Sequence, residues 1–376
     1  MLPVLWLCGP PGVGKTTVAW ELYSQLAQAG TEVGFIDIDQ LGICYPEPAT
    51  DPGRHRMKAR NLDAVAGGFL AAGVECLIVS GVVDPARGVH TDSIQRAAPT
   101  VCRLRAGHDE LRRRFIGRGG DATPVEDVLR EADALDRSAF ADACVDTSGL
   151  PVSEVARRVL ARIGAWPPPQ SQSVGAVEPP GGAVNRADGP VLWVCGATGV
   201  GKSAVGFAVY RRILRAGYTA AYLDLDQIGC RGPAPADDAD DHRLKAGNLA
   251  ALWRNYRTAG ARALVVTGPV RDEAALMAYG DALSPAEITL CRLHAGREEL
   301  TQRIMRRGRG EGWQQPGDPL RGQPTTRLLG IADQAVASAA LLESAGIGDL
   351  RFDTDGHTVE QVADAVLART QWPRCS

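Results

Sequence analysis

The chain has 376 residues, 45% of them apolar and 23% charged, with a net charge of −3. This composition supports ordinary hydrophobic cores and excludes disorder by composition, and the length suggests two or three domains. The slight acidity offers no electrostatic attraction to nucleic acid or to an anionic membrane surface, so neither is expected as a partner.

The first predicted element is a buried strand from Met1 to Cys8, apolar and without the basic start and cleavage site of a signal peptide. No apolar run reaches membrane-spanning length, and a cytoplasmic location is expected. The strand runs into Gly9-Pro-Pro-Gly12-Val13-Gly14-Lys15-Thr16, followed by Thr17 and a helical pattern. This is the phosphate-cradling P-loop, G-x-x-x-x-G-K-[ST], in the strand-to-helix context that the motif requires. Its glycines let backbone N–H groups approach phosphate oxygens, and the helix N-terminus adds positive potential. The pattern recurs 187 residues later as Gly196-Ala-Thr-Gly199-Val200-Gly201-Lys202-Ser203, followed by Ala204. A nucleotide, expected to be ATP, would therefore be bound twice, with Mg2+ on the hydroxyls of Thr16 and Ser203.

The same offset aligns much more. The second predicted strand carries Asp37-Ile-Asp39-Gln40 in one copy and Asp224-Leu-Asp226-Gln227 in the other. Alternation along a strand would put both carboxylates of a pair on one face. One can then serve the metal (Asp37, Asp224) while the other takes the acceptor proton (Asp39, Asp226). The following helix contains Lys58 and Asn61, matched by Lys245 and Asn248, as candidate substrate-binding residues. Of 41 basic residues only four are lysine, and all four fall in repeat-matched pairs: Lys15 with Lys202 and Lys58 with Lys245. A compact ammonium rather than a guanidinium is expected at those places. His55 and His242 flank the same helix, and a surface role is expected for both.

The third strands end in Ser80-Gly81 and Thr267-Gly268, with no Asp-Glu pair. Further on, Arg114 and Arg118, and Arg303 and Arg307, lie at i, i+4 on a helix before a flexible segment. That spacing suggests a lid whose arginines clamp the transferring phosphoryl group. The second copy has the longer lid, running after Arg307 from Gly308 to Pro316. The acidic run from Asp237 to Asp241 reads as a solvated loop. Nine cysteines show no metal-ligand spacing and read as buried thiols. Between the copies, a Pro, Gly and Ser-rich stretch has linker chemistry. The domains are therefore expected at 1–166 and 189–373, with a linker at 167–188. Each copy reads as strand, P-loop and helix, then four further strand–helix units, giving a parallel sheet with right-handed crossovers.

The P-loop, the second-strand Asp-x-Asp-Gln and the third strand ending in a small polar residue plus Gly resemble small P-loop kinases. These are the shikimate kinase, adenylylsulfate kinase, gluconate kinase and chloramphenicol phosphotransferase group. The resemblance covers the core of each copy, about two-thirds of the chain, and departs at Gly81-Val-Val and Gly268-Pro-Val, where shikimate kinases have three glycines. It implies an α/β fold of two tandem P-loop NTPase domains, nucleoside-monophosphate-kinase-like, each a parallel sheet sandwiched by helices. It also implies Mg-dependent transfer of the ATP γ-phosphoryl to a hydroxyl of a small-molecule acceptor, with Asp37 and Asp224 near the metal and Asp39 and Asp226 on the acceptor. Competing readings are a regulatory ATPase or nucleotide switch, and a nucleotide-binding scaffold with one or both sites inactive. A polynucleotide kinase fits poorly, because no basic-aromatic groove is seen. Packing of the repeats on each other, or self-association, is compatible with all of these.

Overall fold

The structure is a computed structural model. It describes residues 1–117, 125–168, 188–233, 235, 238, 240–311 and 318–372. Two compact units emerge, each containing one P-loop.

In the first half of the chain the elements are β1 (Leu2–Cys8), α1 (Lys15–Gln28), β2 (Val33–Asp37), β3 (Cys44–Tyr45), α2 (His55–Ala71) and β4 (Cys76–Ser80). They continue with β5 (Ala97–Arg105), α3 (His108–Ile116), α4 (Val125–Arg137), β6 (Ala143–Asp146) and α5 (Val152–Ile163). The second half gives β7 (Pro190–Cys195), α6 (Lys202–Arg215), β8 (Ala220–Asp224), β9 (Cys230–Gly232), α7 (His242–Thr258) and β10 (Ala263–Thr267). It ends with α8 (Glu273–Leu283), β11 (Glu287–His294), α9 (Arg297–Gly308), α10 (Thr325–Ser344), β12 (Leu350–Asp353) and α11 (Val359–Thr370).

The sheet orders are β6-β5-β1-β4-β2-β9 and β12-β11-β7-β10-β8-β3. Five strands of each are mutually parallel, and the sixth is a short antiparallel edge strand. The central strands are continuous apolar runs buried along their whole length, as a sheet covered by helices on both faces requires. In the first unit Leu5, Leu7, Leu22, Phe35, Ile78 and Val159 share one core. In the second, Leu192, Val194, Val209, Tyr222, Leu293 and Val366 do the same. The P-loops leave the carboxyl ends of β1 and β7, between neighbouring parallel strands, where open α/β sheets bind ligands.

Three features depart from the expected order. The segment after β4 in the first unit is a loop with one 3-10 turn, Thr91–Ser93, whereas its counterpart after β10 is the helix α8. Two helices, not one, separate β5 from β6 and β11 from β12. The units also do not follow the linear division at 1–166 and 189–373. The first comprises Met1–Gly42, Ala49–Asn185 and Gly229–Ala239, and the second comprises Ile43–Pro48, Arg186–Ile228 and Asp240–Ser376. The edge strand of each sheet thus comes from the other half of the chain: β9 pairs with β2, and β3 with β8. Most of the linker, 169–187, lies outside the described residues, as do Arg118, Asp237 and Trp313.

The eight described cysteines are free thiols. Burial pushes those of Cys8, Cys76, Cys102, Cys195 and Cys291 up to about 12, so they are poor nucleophiles.

Candidate functional site

Each site is built outward from the P-loop. Gly9, Gly12 and Gly14 all have φ in the left-handed region (144°, 84° and 102°), as do Gly196, Gly199 and Gly201. At Gly9 a Cβ would lie 2.3 Å from the carbonyl oxygen of Leu104, so only glycine fits the exit from β1. Val13 and Val200 are buried and anchor the loop in the core. Lys15 Nζ donates to the carbonyls of Gly9 (2.7 Å) and Pro10 (3.1 Å), and Lys202 Nζ to Ala197 (3.1 Å). Both ammonium groups are folded over the loop, and burial lowers both pKa values. Thr17 is exposed and Ala204 half-buried in the first helical turn.

The acidic pairs arrange themselves differently from the expected strand alternation. β2 stops at Asp37, so Asp39 lies beyond the strand, and the two carboxylates do not share a strand face. Asp37 Oδ1 instead accepts the backbone N–H of Asp39 at 3.0 Å, and Asp224 accepts that of Asp226 at 3.1 Å. This local cap ends the strand and opens the turn. Asp37 and Asp224 are buried, 7% and 4% exposed, whereas the side chain of Asp39 is 44% exposed. Thr16 Oγ1 lies 3.5 Å from Asp37 Oδ2, and Ser203 Oγ donates to Asp224 Oδ2 at 2.6 Å. Ser80 Oγ reaches Asp37 Oδ2 at 3.5 Å, a contact that the sequence did not reveal, because Ser80 is paired in register with Asp37 only across the sheet. Burial, and then the neighbouring Asp39, raise the Asp37 carboxyl to about 6. Burial and Asp226 raise that of Asp224.

A hydroxyl and a buried carboxylate side by side at a phosphate loop are donors of the kind Mg2+ accepts, since that ion takes few protein oxygens and fills its shell from phosphate and water. The residues present therefore fit the metal, with Thr16 and Asp37 in the first unit and Ser203 and Asp224 in the second as its holders.

Lys58 is 4% exposed and its Nζ lies 2.8 Å from Asp39 Oδ1. Lys245 stands 3.5 Å from Asp226 Oδ1. The matched lysines thus pair with the second aspartate of the Asp-x-Asp in their own unit. Asn61 and Asn248 are not at the surface of the site. Both are fully buried, and their amides donate to the carbonyls of Leu41 and Ile228 at 2.6 Å. They hold the turn after the aspartates, where a substrate contact was expected.

Arg114 and Arg303, expected in the lid, bond to the P-loop itself. Arg114 donates to Val13 O (3.1 Å), Thr147 Oγ1 (3.0 Å) and Thr147 O (2.9 Å), and pairs with Glu110. Arg303 repeats this on Val200 O (3.0 Å), Thr354 Oγ1 (2.9 Å), Thr354 O (3.0 Å) and Glu299. Each guanidinium staples the P-loop to the loop after the last strand. Four of its five N–H donors are engaged in this way. Arg307 pairs with Asp318 at 2.6 Å and lies within electrostatic range of Lys202.

The two sites differ at the acceptor side. His55 and His242 hold equivalent positions 187 residues apart. His55 is half-buried, and burial lowers its pKa. His242 is buried at 6% exposure, against the expected surface role. In the first unit, Glu131 of α4 is in electrostatic contact with Lys15, Asp39 and Lys58. The matched pairs His108–Asp133 and Arg297–Asp333 place Ile331 opposite Glu131, and that side chain packs on the core.

The class that this fold and site define is an α/β fold with a P-loop at the carboxyl end of its first strand, present twice. No family model matches the chain, and no curated protein matches it. Among solved structures it is similar to a sugar kinase from Janibacter sp. HTCC2649, at 18% identity over 43% of this chain and 95% of that one, with a TM-score of 0.35. It is also similar to a gluconokinase from Sinorhizobium meliloti 1021, at 18% identity over 49% and 94% with a TM-score of 0.33. A tunicamycin resistance protein from Deinococcus radiodurans matches at 17% identity over 48% and 95%, with a TM-score of 0.32.

Proposed function

We propose that the chain is an ATP-dependent phosphotransferase that moves the γ-phosphoryl group to a hydroxyl of a small molecule. The observation that carries this is the Lys58–Asp39 pair set beside the P-loop. An ATPase needs to position only water, whereas here a half-exposed carboxylate is fixed by a buried ammonium on the side where an acceptor would enter.

In this reading the P-loop N–H groups and Lys15 hold the β- and γ-phosphates. Bound Mg2+, held by Thr16 and Asp37, would supply neutralisation of the phosphate charge. Asp39 takes the proton of the acceptor hydroxyl as the new P–O bond forms and the bond to the β-phosphate oxygen breaks, leaving ADP. Lys58 fixes the Asp39 carboxylate and lies near the transferring charge. Arg114 keeps the P-loop in the geometry that this alignment needs.

The test supplies the protein with γ-labelled ATP, Mg2+ and a soluble metabolite extract. Label in a new small molecule supports the reading and reveals the acceptor class. Label released only as inorganic phosphate would replace it by hydrolysis.

A further inference from the structure

In the first unit Glu131 is half-buried on α4, at the edge of the face that Val128, Ala132 and Leu135 bury. Two anchors hold that helix in place. Asp133 lies 2.9 Å from His108 Nε2 of α3, and Arg103 of β5 donates to the carbonyl of Leu135 and lies 3.4 Å from Asp136. Glu131 is thereby set within electrostatic range of Lys15, Asp39 and Lys58. Among the described residues it forms no hydrogen bond or ion pair, whereas Asp39 already pairs with Lys58 at 2.8 Å. A carboxylate partly withdrawn from water and lacking a cation of its own is costly, and burial raises its pKa accordingly.

The second unit differs at this position. Its α10 repeats α4 with an offset of 200 residues, as the longer segment before it requires. Leu328, Ala332 and Ala335 are buried as Val128, Ala132 and Leu135 are, and Asp333 pairs with Arg297 at 2.6 Å as Asp133 pairs with His108. Ile331 stands where Glu131 does, and it packs on the core of its own unit. The two sites thus keep the same lysines and aspartates around the P-loop and differ by one carboxylate.

Resting on the phosphotransferase reading, in which the nucleotide engages Lys15 and the metal engages Asp37, we propose that Glu131 selects the acceptor of the first unit. That acceptor is a small hydroxy compound that also carries a cationic nitrogen. Its ammonium is received by Glu131, the charge left over once the others are paired, while its hydroxyl is directed at Asp39. The same carboxylate repels an anionic acceptor, so selection works in both directions. The second unit, with Ile331, offers no counter-charge there and has no preference for a cation.

The test uses the full chain, γ-labelled ATP, Mg2+ and a soluble metabolite extract split on ion exchangers into cationic, neutral and anionic fractions. Label should enter the cationic fraction, and Lys15→Ala, which disables the first P-loop, should lower that labelling about 100-fold or more. With the labelled acceptor purified, Glu131→Gln keeps the shape of the side chain and removes its charge. It should raise KM for that acceptor about 10-fold or more with kcat within about 3-fold, and Glu131→Asp should recover part of the loss. Lys15-dependent label confined to the neutral or anionic fraction would overturn the proposal and leave the phosphotransferase reading standing. So would label that survives Lys15→Ala, an unchanged KM in Glu131→Gln, or a fall in kcat alone, which would place Glu131 in the chemistry rather than in selection. If the wild type labels no small molecule in any fraction, the phosphotransferase reading falls and this assignment falls with it.

Discussion

Lys58 Nζ and Asp39 Oδ1 stand 2.8 Å apart, with the lysine buried and the aspartate half-exposed. In the phosphotransferase reading the ammonium would therefore act on an acceptor through the carboxylate it orients, rather than as a free surface charge. Lys58→Met keeps the length and apolar character of the stem and removes the charge. It should lower transfer at least 10-fold and leave nucleotide affinity within about 2-fold, read by steady-state kinetics and calorimetry. Unchanged acceptor affinity and turnover would show that the pair is only inherited.

Asp39→Asn should cut transfer by 100-fold or more, consistent with the ~10²–10⁴-fold typical of a lost general base, while nucleotide binding stays nearly intact. Equal losses in both would move Asp39 into the metal shell. Asp37→Asn should do the opposite and weaken Mg-nucleotide binding first.

The Asp37 carboxyl, raised to about 6 by burial and by Asp39, gives the protein a pH signature. Its folded pKa lies above the ordinary aspartate value, so the folded state holds that proton more tightly than the unfolded chain does. This group therefore favours folding as pH falls from about 6 towards 4 and costs stability above about 6. In melts of the nucleotide-free protein, Asp37→Asn should raise stability at pH 7 relative to wild type, and the gap should shrink as pH falls to 4. Magnesium affinity of the first unit should fall below pH 6, because the proton competes for the same oxygens. A gap that stays constant between pH 4 and 7 would contradict this account.

Lys15→Ala and Lys202→Ala should each remove one nucleotide equivalent in calorimetric titration. Loss of one and the same equivalent in both variants would mean a single composite site.

Arg114→Ala removes three hydrogen bonds to Val13 and Thr147, two of them to backbone carbonyls. Val13 O keeps the hydroxyl of Thr147 and Thr147 O keeps the N–H of Leu150, so a loss of about 2–3 kcal/mol is expected from the charge-assisted hydrogen bonds themselves, together with weaker nucleotide binding. Turnover at saturating nucleotide should change little. A large fall in turnover with normal stability would restore the clamp role.

Much of the site was legible because its signals are local. The P-loop spans eight residues with fixed chemistry, and the duplication shows each feature twice. Asp37 and Asp39 were found as a pair, but their division between strand end and turn was not, because period-2 alternation assumed that β2 continues. The bonds of Asn61 and Arg114 were not legible because their partners are distant: Leu41 O lies 20 residues away, and Val13 O lies 101 away. The edge strands, of two and three residues, are too short for any periodicity to register.

Those short strands constrain how the chain can be divided. A fragment ending in the Pro-rich linker would keep Cys44–Tyr45 but lack Cys230–Gly232, so β2 would lose its antiparallel neighbour and present bare N–H and C=O groups. The complementary fragment would leave β8 in the same condition. The halves are alike in sequence, yet each lacks the edge strand of its own sheet. Each half, expressed alone, is expected to be prone to pairing edge to edge, and mixing the two should restore solubility.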